Sequence, residues 1–230
     1  MNKKRIFNTE NPFNAFMTKL FDLMWINIMW LICCIPVITI GAATSSMYHL
    51  TLKMIRDEEG GITKSFFKEF AADFKKSIPM TLILIATVAV LMADFHLLSA
   101  AGGDSVASVM YGGCIALAIL ALGYFSTLWP VYAWFENTVK NTLANAGKIA
   151  IANLPRTLVI MVINAVPVVW FLISPSTFVY VWWLWAVVGV SGSAYINSLL
   201  IRGIFDRLSG RDGENEEDTE NTENTGNDDV

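Results

Sequence analysis

The chain has 230 residues, 54% of them hydrophobic and 16% charged, whereas a soluble domain carries roughly 25% charged residues. The charges are missing in blocks. Leu23–Leu52, Ser77–Ala93, Ser105–Phe135 and Thr157–Ile201 contain no Asp, Glu, Lys or Arg and together exceed half of the chain. One soluble core cannot hide so much apolar sequence, while a bilayer takes about 20 apolar residues per helical span. Composition therefore excludes a soluble enzyme, a secreted disulfide scaffold and a nucleic-acid reader. It points to an all-α, polytopic transmembrane helix bundle.

The formal net charge of −4 averages two unlike regions. From Ser209 onward nine acidic residues stand against Arg211 alone, which leaves the rest of the chain net positive. That division suggests one transmembrane domain over 1–208 and an acidic tail over 209–230, disordered because it lacks aromatics and cannot bury enough surface to fold.

Lys3, Lys4 and Arg5 precede an apolar stretch that is too long for a signal-peptide core and has no small-residue cleavage site, so the first segment is expected to be retained. The first apolar block is either one span, about 23–43, or a hairpin of two helices, about 13–34 and 39–57, turning at Pro36 with Thr39 capping the second. Basic residues flanking spans stay on the cytoplasmic side. With five spans the cluster Lys3, Lys4, Arg5 and Lys19 falls opposite the other twelve Lys and Arg residues; with six spans all sixteen share one face. The hairpin is preferred, with both termini cytoplasmic in a multi-pass cell-membrane protein. Its second helix carries Thr44, Ser45, Ser46, His49 and Thr51, which is too polar to face lipid and calls for shielding by neighbouring helices.

Further along, Ile62, Phe66, Phe70, Phe74 and Ile78 recur every four residues among Lys64, Lys68, Lys75 and Lys76. This predicts an amphipathic helix over 62–76 lying in the headgroup region. Spans follow at about 78–98 and 105–132. A weaker amphipathic segment occupies 139–153, and two more spans, about 157–173 and 178–200, are separated by Ser174-Pro175-Ser176-Thr177. A shift of 76 residues places Lys64 on Lys140, Pro79 on Pro155 and Thr81 on Thr157, which suggests a parallel internal repeat.

Four stretches carry a family likeness. Phe7-Asn8-Thr9-Glu10-Asn11-Pro12-Phe13, then Cys33-Cys34-Ile35-Pro36-Val37-Ile38-Thr39-Ile40-Gly41-Ala42, resemble the YesL-like family of bacterial integral membrane proteins, domain of unknown function 624. So do Leu52-Lys53-Met54-Ile55-Arg56-Asp57-Glu58-Glu59-Gly60-Gly61 and the following Ser65–Phe70. The resemblance runs from about Phe7 to Arg207. It implies a membrane setting near carbohydrate uptake, because members are often encoded beside sugar uptake systems in Gram-positive bacteria. It supplies no catalytic or binding residues.

Chemistry-bearing motifs are missing: no HExxH, GxSxG, phosphate-binding loop or EF-hand occurs. With two histidines and no CxxC pair, neither a metal nor a cofactor is expected, and Cys33, Cys34 and Cys114 read as packing residues. Ionisable residues at or near membrane depth are Asp22, His49, Asp94, His96 and Glu136, most of them close to a span end. The candidate intramembrane polar face consists of Ser45 and His49, which share a helix face with Leu52, with Asn164 or Asn197 as partners across the bundle. Asn27 and Ser191-Gly192-Ser193-Ala194 read as helix-contact residues, and tryptophans such as Trp182 and Trp183 as interface anchors. The reading is a non-enzymatic accessory or regulatory protein whose partners are the lipid bilayer and a sugar permease or membrane sensor. The alternative is a small-solute transporter or channel-like homo-oligomer, a homodimer in the simplest case.

Overall fold

The computed structural model describes residues 12–56, 60–100, 105–135 and 138–209. The amino-terminal family motif up to Asn11, Glu136 and the acidic tail beyond Ser209 lie outside the described residues.

Helix α1, Pro12–Cys33, opens on a proline, which suits a first helical position because an N–H there has no intrahelical partner. The chain turns at Cys34, Ile35 and Pro36, makes one tight turn over Val37–Thr39, and enters α2, Ile40–Ile55. Thr39 does not cap α2. It has helical backbone angles and its hydroxyl donates backward to the carbonyls of Cys33 and Pro36, so it closes the end of α1 instead.

The expected surface helix and the span after it are one element, α3, Ile62–Ala100. Pro79 does not break it. The proline has no N–H for Lys75 O; nearby, Ser77 Oγ bonds Phe74 O (3.3 Å) and Thr81 Oγ1 bonds Ser77 O (2.9 Å), and membrane helices tolerate proline where neighbours cover the backbone. The first half of α3 packs along α2. A four-residue repeat drifts around a helix of 3.6 residues per turn, so the aromatic stripe rotates out of the interface. Phe66 is fully buried, Phe70 half-buried and Phe74 exposed.

Helix α4 covers Ser105–Trp134, α5 Val139–Ala152 and α6 Leu154–Ile173. At the second copy of the suggested repeat the chain does break, at Asn153, just before Pro155. The last apolar block divides at Ser174 alone. There α7, Pro175–Leu184, begins and passes through a wider π turn, Trp185–Gly189, into α8, Val190–Ser209.

Five stretches are long and apolar enough to cross a membrane: Phe13–Cys33, Ile62–Ser99, Ser108–Trp134, Leu154–Ile173 and Pro175–Phe205. This is the build of a multi-pass membrane protein. Helix α2 is not among them. It is the innermost element, with Ala43, Ser45, Ser46, Thr51 and Met54 fully buried.

The core gathers around α2 and comprises Ile26, Met47, Phe66, Met80, Leu128, Val131, Ile201 and Phe205, all at one end of the bundle. The α1–α2 turn comes to rest beside Thr81 and Trp129. Helix α3 runs on from Thr81 to Ala100, roughly 28 Å at 1.5 Å per residue. In that far half the side chains of α3, α4, α6 and α7 are mostly exposed and apolar, as lipid contact requires.

Gly41 fixes how closely α2 can approach. A Cβ there would overlap Thr81 Oγ1 and come within 2.7 Å of the Trp129 ring. Gly41→Ala should therefore destabilise the protein by about 1–3 kcal/mol, the usual cost of overpacking. Thermal unfolding in detergent measures this, and an unchanged midpoint would contradict the close approach.

Candidate functional site

The polar side chains of α2 meet three partner helices. Asp73 of α3, 8% exposed, receives most of the first contact. Ser45 Oγ donates to its Oδ2 at 2.5 Å, Tyr132 of α4 donates its hydroxyl to Oδ1 at 3.0 Å, and His49 Nε2 lies 3.4 Å from Oδ2. One carboxylate thus joins α2, α3 and α4. A buried carboxylate is costly unless its oxygens are partnered, and here both are.

A second cluster joins α2 to α6 and α8. Asn197 Nδ2 donates to Asn164 Oδ1 (3.1 Å) and to the Tyr48 hydroxyl (3.3 Å), while the Thr51 and Ser198 hydroxyls lie 3.0 Å apart. Among the described residues nothing bonds Asn197 Oδ1.

The third cluster explains the π turn. A wider turn leaves ladder groups to satisfy, and an inserted side chain can do so. The Asn27 amide of α1 lies between the Ala186 carbonyl, to which it donates at 2.5 Å, and the Ser191 N–H, from which it accepts at 2.9 Å. Ser191 Oγ then donates to Leu23 O at 2.8 Å. At the lysine end of the bundle, Lys53 Nζ bonds Glu69 (2.9 Å) and the Arg56 guanidinium stacks 3.7 Å from the Trp134 ring centroid.

The four residues read from sequence as one face fall into two clusters. Ser45 and His49 meet Asp73, and Asn164 and Asn197 meet each other. Tyr48, one residue before His49, makes the link from α2 to the asparagines. Asp73, Tyr132 and Tyr48 were not singled out from sequence. Asp73 carried a usable signal: it lies seven residues after Phe66 and four before Ser77, on the buried stripe of α3, whereas Lys64, Lys68, Lys75 and Lys76 are exposed. Of the remaining ionisable candidates, Asp22 is half-buried in α1, Asp94 half-buried between α3 and α4, and His96 exposed. The three cysteines are free thiols.

Chemically the arrangement joins helices. In nucleophilic catalysis an imidazole stands between hydroxyl and carboxylate to take the proton. Here the carboxylate stands between Ser45 and His49, and Ser45 has no exposed surface.

Residues 23–95 match the family described as "Protein of unknown function, DUF624". No curated protein and no solved structure matches the chain. The DUF624 stretch holds Asn27, all of α2 and Asp73, so the α1, α2 and α3 members of the polar contacts fall inside it, while Tyr132, Asn164, Ser191 and Asn197 are supplied by helices beyond it.

Asp73→Ala strands the Ser45 and Tyr132 hydroxyls, and each unpaired buried group costs about 1–3 kcal/mol. His49→Gln keeps a donor near Asp73. Melting in detergent should therefore fall far more for Asp73→Ala than for His49→Gln; equal losses would contradict the central place of the carboxylate. Asn27→Leu, which strands the Ala186 carbonyl and the Ser191 N–H, should cost as much as Asp73→Ala.

Proposed function

We propose that the protein is a non-enzymatic accessory or regulatory component of carbohydrate uptake or utilisation, acting by binding another membrane protein such as a sugar permease or membrane sensor. The observation that carries this reading is how the buried polar groups are used. Ser45, Asp73, Tyr132, Tyr48, Asn164 and Asn197 bond one another across helices. Polar groups committed in this way hold a bundle together. The link with carbohydrate draws on the resemblance to YesL-like proteins.

Six spans with both termini in the cytoplasm go with this reading. The α1–α2 hairpin returns the chain to its starting face, and the sixteen basic residues then share one side. That sidedness holds however deep the hairpin tip reaches, because the chain enters and leaves on one face. Reporters placed before Phe7 and after Arg207 should both register cytoplasm; opposite locations would restore five spans.

A second reading, a small-solute transporter working as a homo-oligomer, draws on one observation. His49 keeps 22% of its side-chain surface open beside the buried Asp73, where a proton-coupled path would need a titratable group. Purification with native partners and a flux assay on the protein alone in liposomes separate the two readings. Recovery of a permease without flux supports the accessory role. Solute movement by the isolated protein overturns it.

A further inference from the structure

Between the far halves of α3 and α4 runs an open groove of about 630 Å³. Ile83, Thr87, Val90 and Asp94 line it from α3, spaced four, three and four residues apart so that they share a face; Leu120 and Tyr124 face them from α4. Ala86 and Ala121 also border it, and small side chains let a helix backbone approach closely. The groove is mostly apolar; the Thr87 hydroxyl donates to Ile83 O at 2.8 Å, whereas no described side chain bonds or pairs with the Asp94 carboxylate. Tyr124 already gives its hydroxyl to Leu143 O at 3.0 Å.

Depth sharpens the point. From Lys76 to Asp94 is roughly 27 Å along the helix, against a hydrocarbon layer about 30 Å thick. This length places Asp94 near the membrane boundary remote from the lysines. A cation brought by whatever fills the groove would pair with it there.

The possible occupants differ in charge. An anionic lipid would bring like charge to Asp94. A second copy of this chain has no Lys or Arg between Lys76 and Lys140 or between Arg156 and Arg202, so its far halves lack the cation. His96 lies on nearly the opposite side of α3, about 200° around the helix from Asp94. We propose that the α3–α4 groove seats a single transmembrane helix of another membrane protein, one carrying a Lys or Arg near its end on the side remote from this chain's lysines, paired with Asp94. The proposal rests on the accessory reading and supplies its partner's chemistry.

The test uses the full-length, dye-labelled protein in phosphatidylcholine vesicles and synthetic single-span Leu/Ala peptides, followed by energy transfer. A peptide with one Arg a turn from its end should associate about tenfold more tightly than the same peptide with Leu there. Asp94→Asn should abolish that preference, and Asp94→Lys should transfer it to a peptide bearing Glu. Ala86→Phe, which fills the groove and leaves Asp94 in place, should block the Arg peptide as well. Equal binding of Arg and Leu peptides, as an unselective apolar or lipid slot would give, overturns the proposal. So does a preference that survives Asp94→Asn, or self-association of the protein that Asp94→Asn removes. Solute flux in the same vesicles would sink the accessory reading whatever the peptides do; indifference to Arg without flux sinks the groove proposal alone.

Discussion

A helix with six hydroxyl or imidazole side chains in sixteen residues can exist inside an apolar bundle only if each polar group finds a partner, and Asp73 serves two of them, Ser45 and His49. The carboxylate accepts from Ser45 and Tyr132 and faces His49, so α2, α3 and α4 converge on two oxygen atoms. Other arrangements follow from it. The first half of α3 must lie along α2 to bring Asp73 there, Gly41 must be bare for the helices to come that close, and the aromatic stripe must turn inward at Phe66. Without a membrane-spanning hydrophobic drive between helices, such bonds and close packing are what hold a bundle together.

The same economy recurs at Asn27. A π turn in the final apolar stretch would leave the Ala186 carbonyl and the Ser191 N–H without ladder partners in a medium that offers no water. One amide from α1 serves both. First and last described helices are thereby fastened to each other, which helps the eight described helices close around one core at one end. Among the described residues the far half has no such fastening. Its helices present apolar side chains outward, and its groove holds a carboxylate with which no described side chain pairs. The two halves suggest a division of labour, with a tightly bonded end that keeps the shape and a loosely covered end that meets other molecules.

Much of this was legible in the sequence. The charge-free blocks give the helical class, Pro36 marks the α1–α2 turn, and the polarity of α2 requires shielding. The likeness to the DUF624 family over residues 23–95 was also readable, from the motifs around Cys33–Ala42 and Leu52–Phe70. The errors have physical reasons. Pro79 and the lysines before it look like a boundary, but α3 runs on through the proline. Thr39 looks like a cap for the helix that follows, but it sits in a tight helical turn that aims its hydroxyl backward. Asp73 was hidden among lysines on a segment read as surface, although its seven-residue spacing from Phe66 marks the buried side. The role of Asn27 depends on a backbone irregularity 159 residues away that no local pattern announces.

The central claim is that α2 is a dry, bonded post and not the wall of a water-filled path. Amide hydrogen exchange of the full-length protein tests it most directly, because exchange reports how readily each backbone N–H reaches water. The account predicts that Ser45–Leu52 exchanges among the slowest stretches of the molecule, well behind the half-exposed α5. Exchange of Ser45–Leu52 as fast as that of α5 would contradict it.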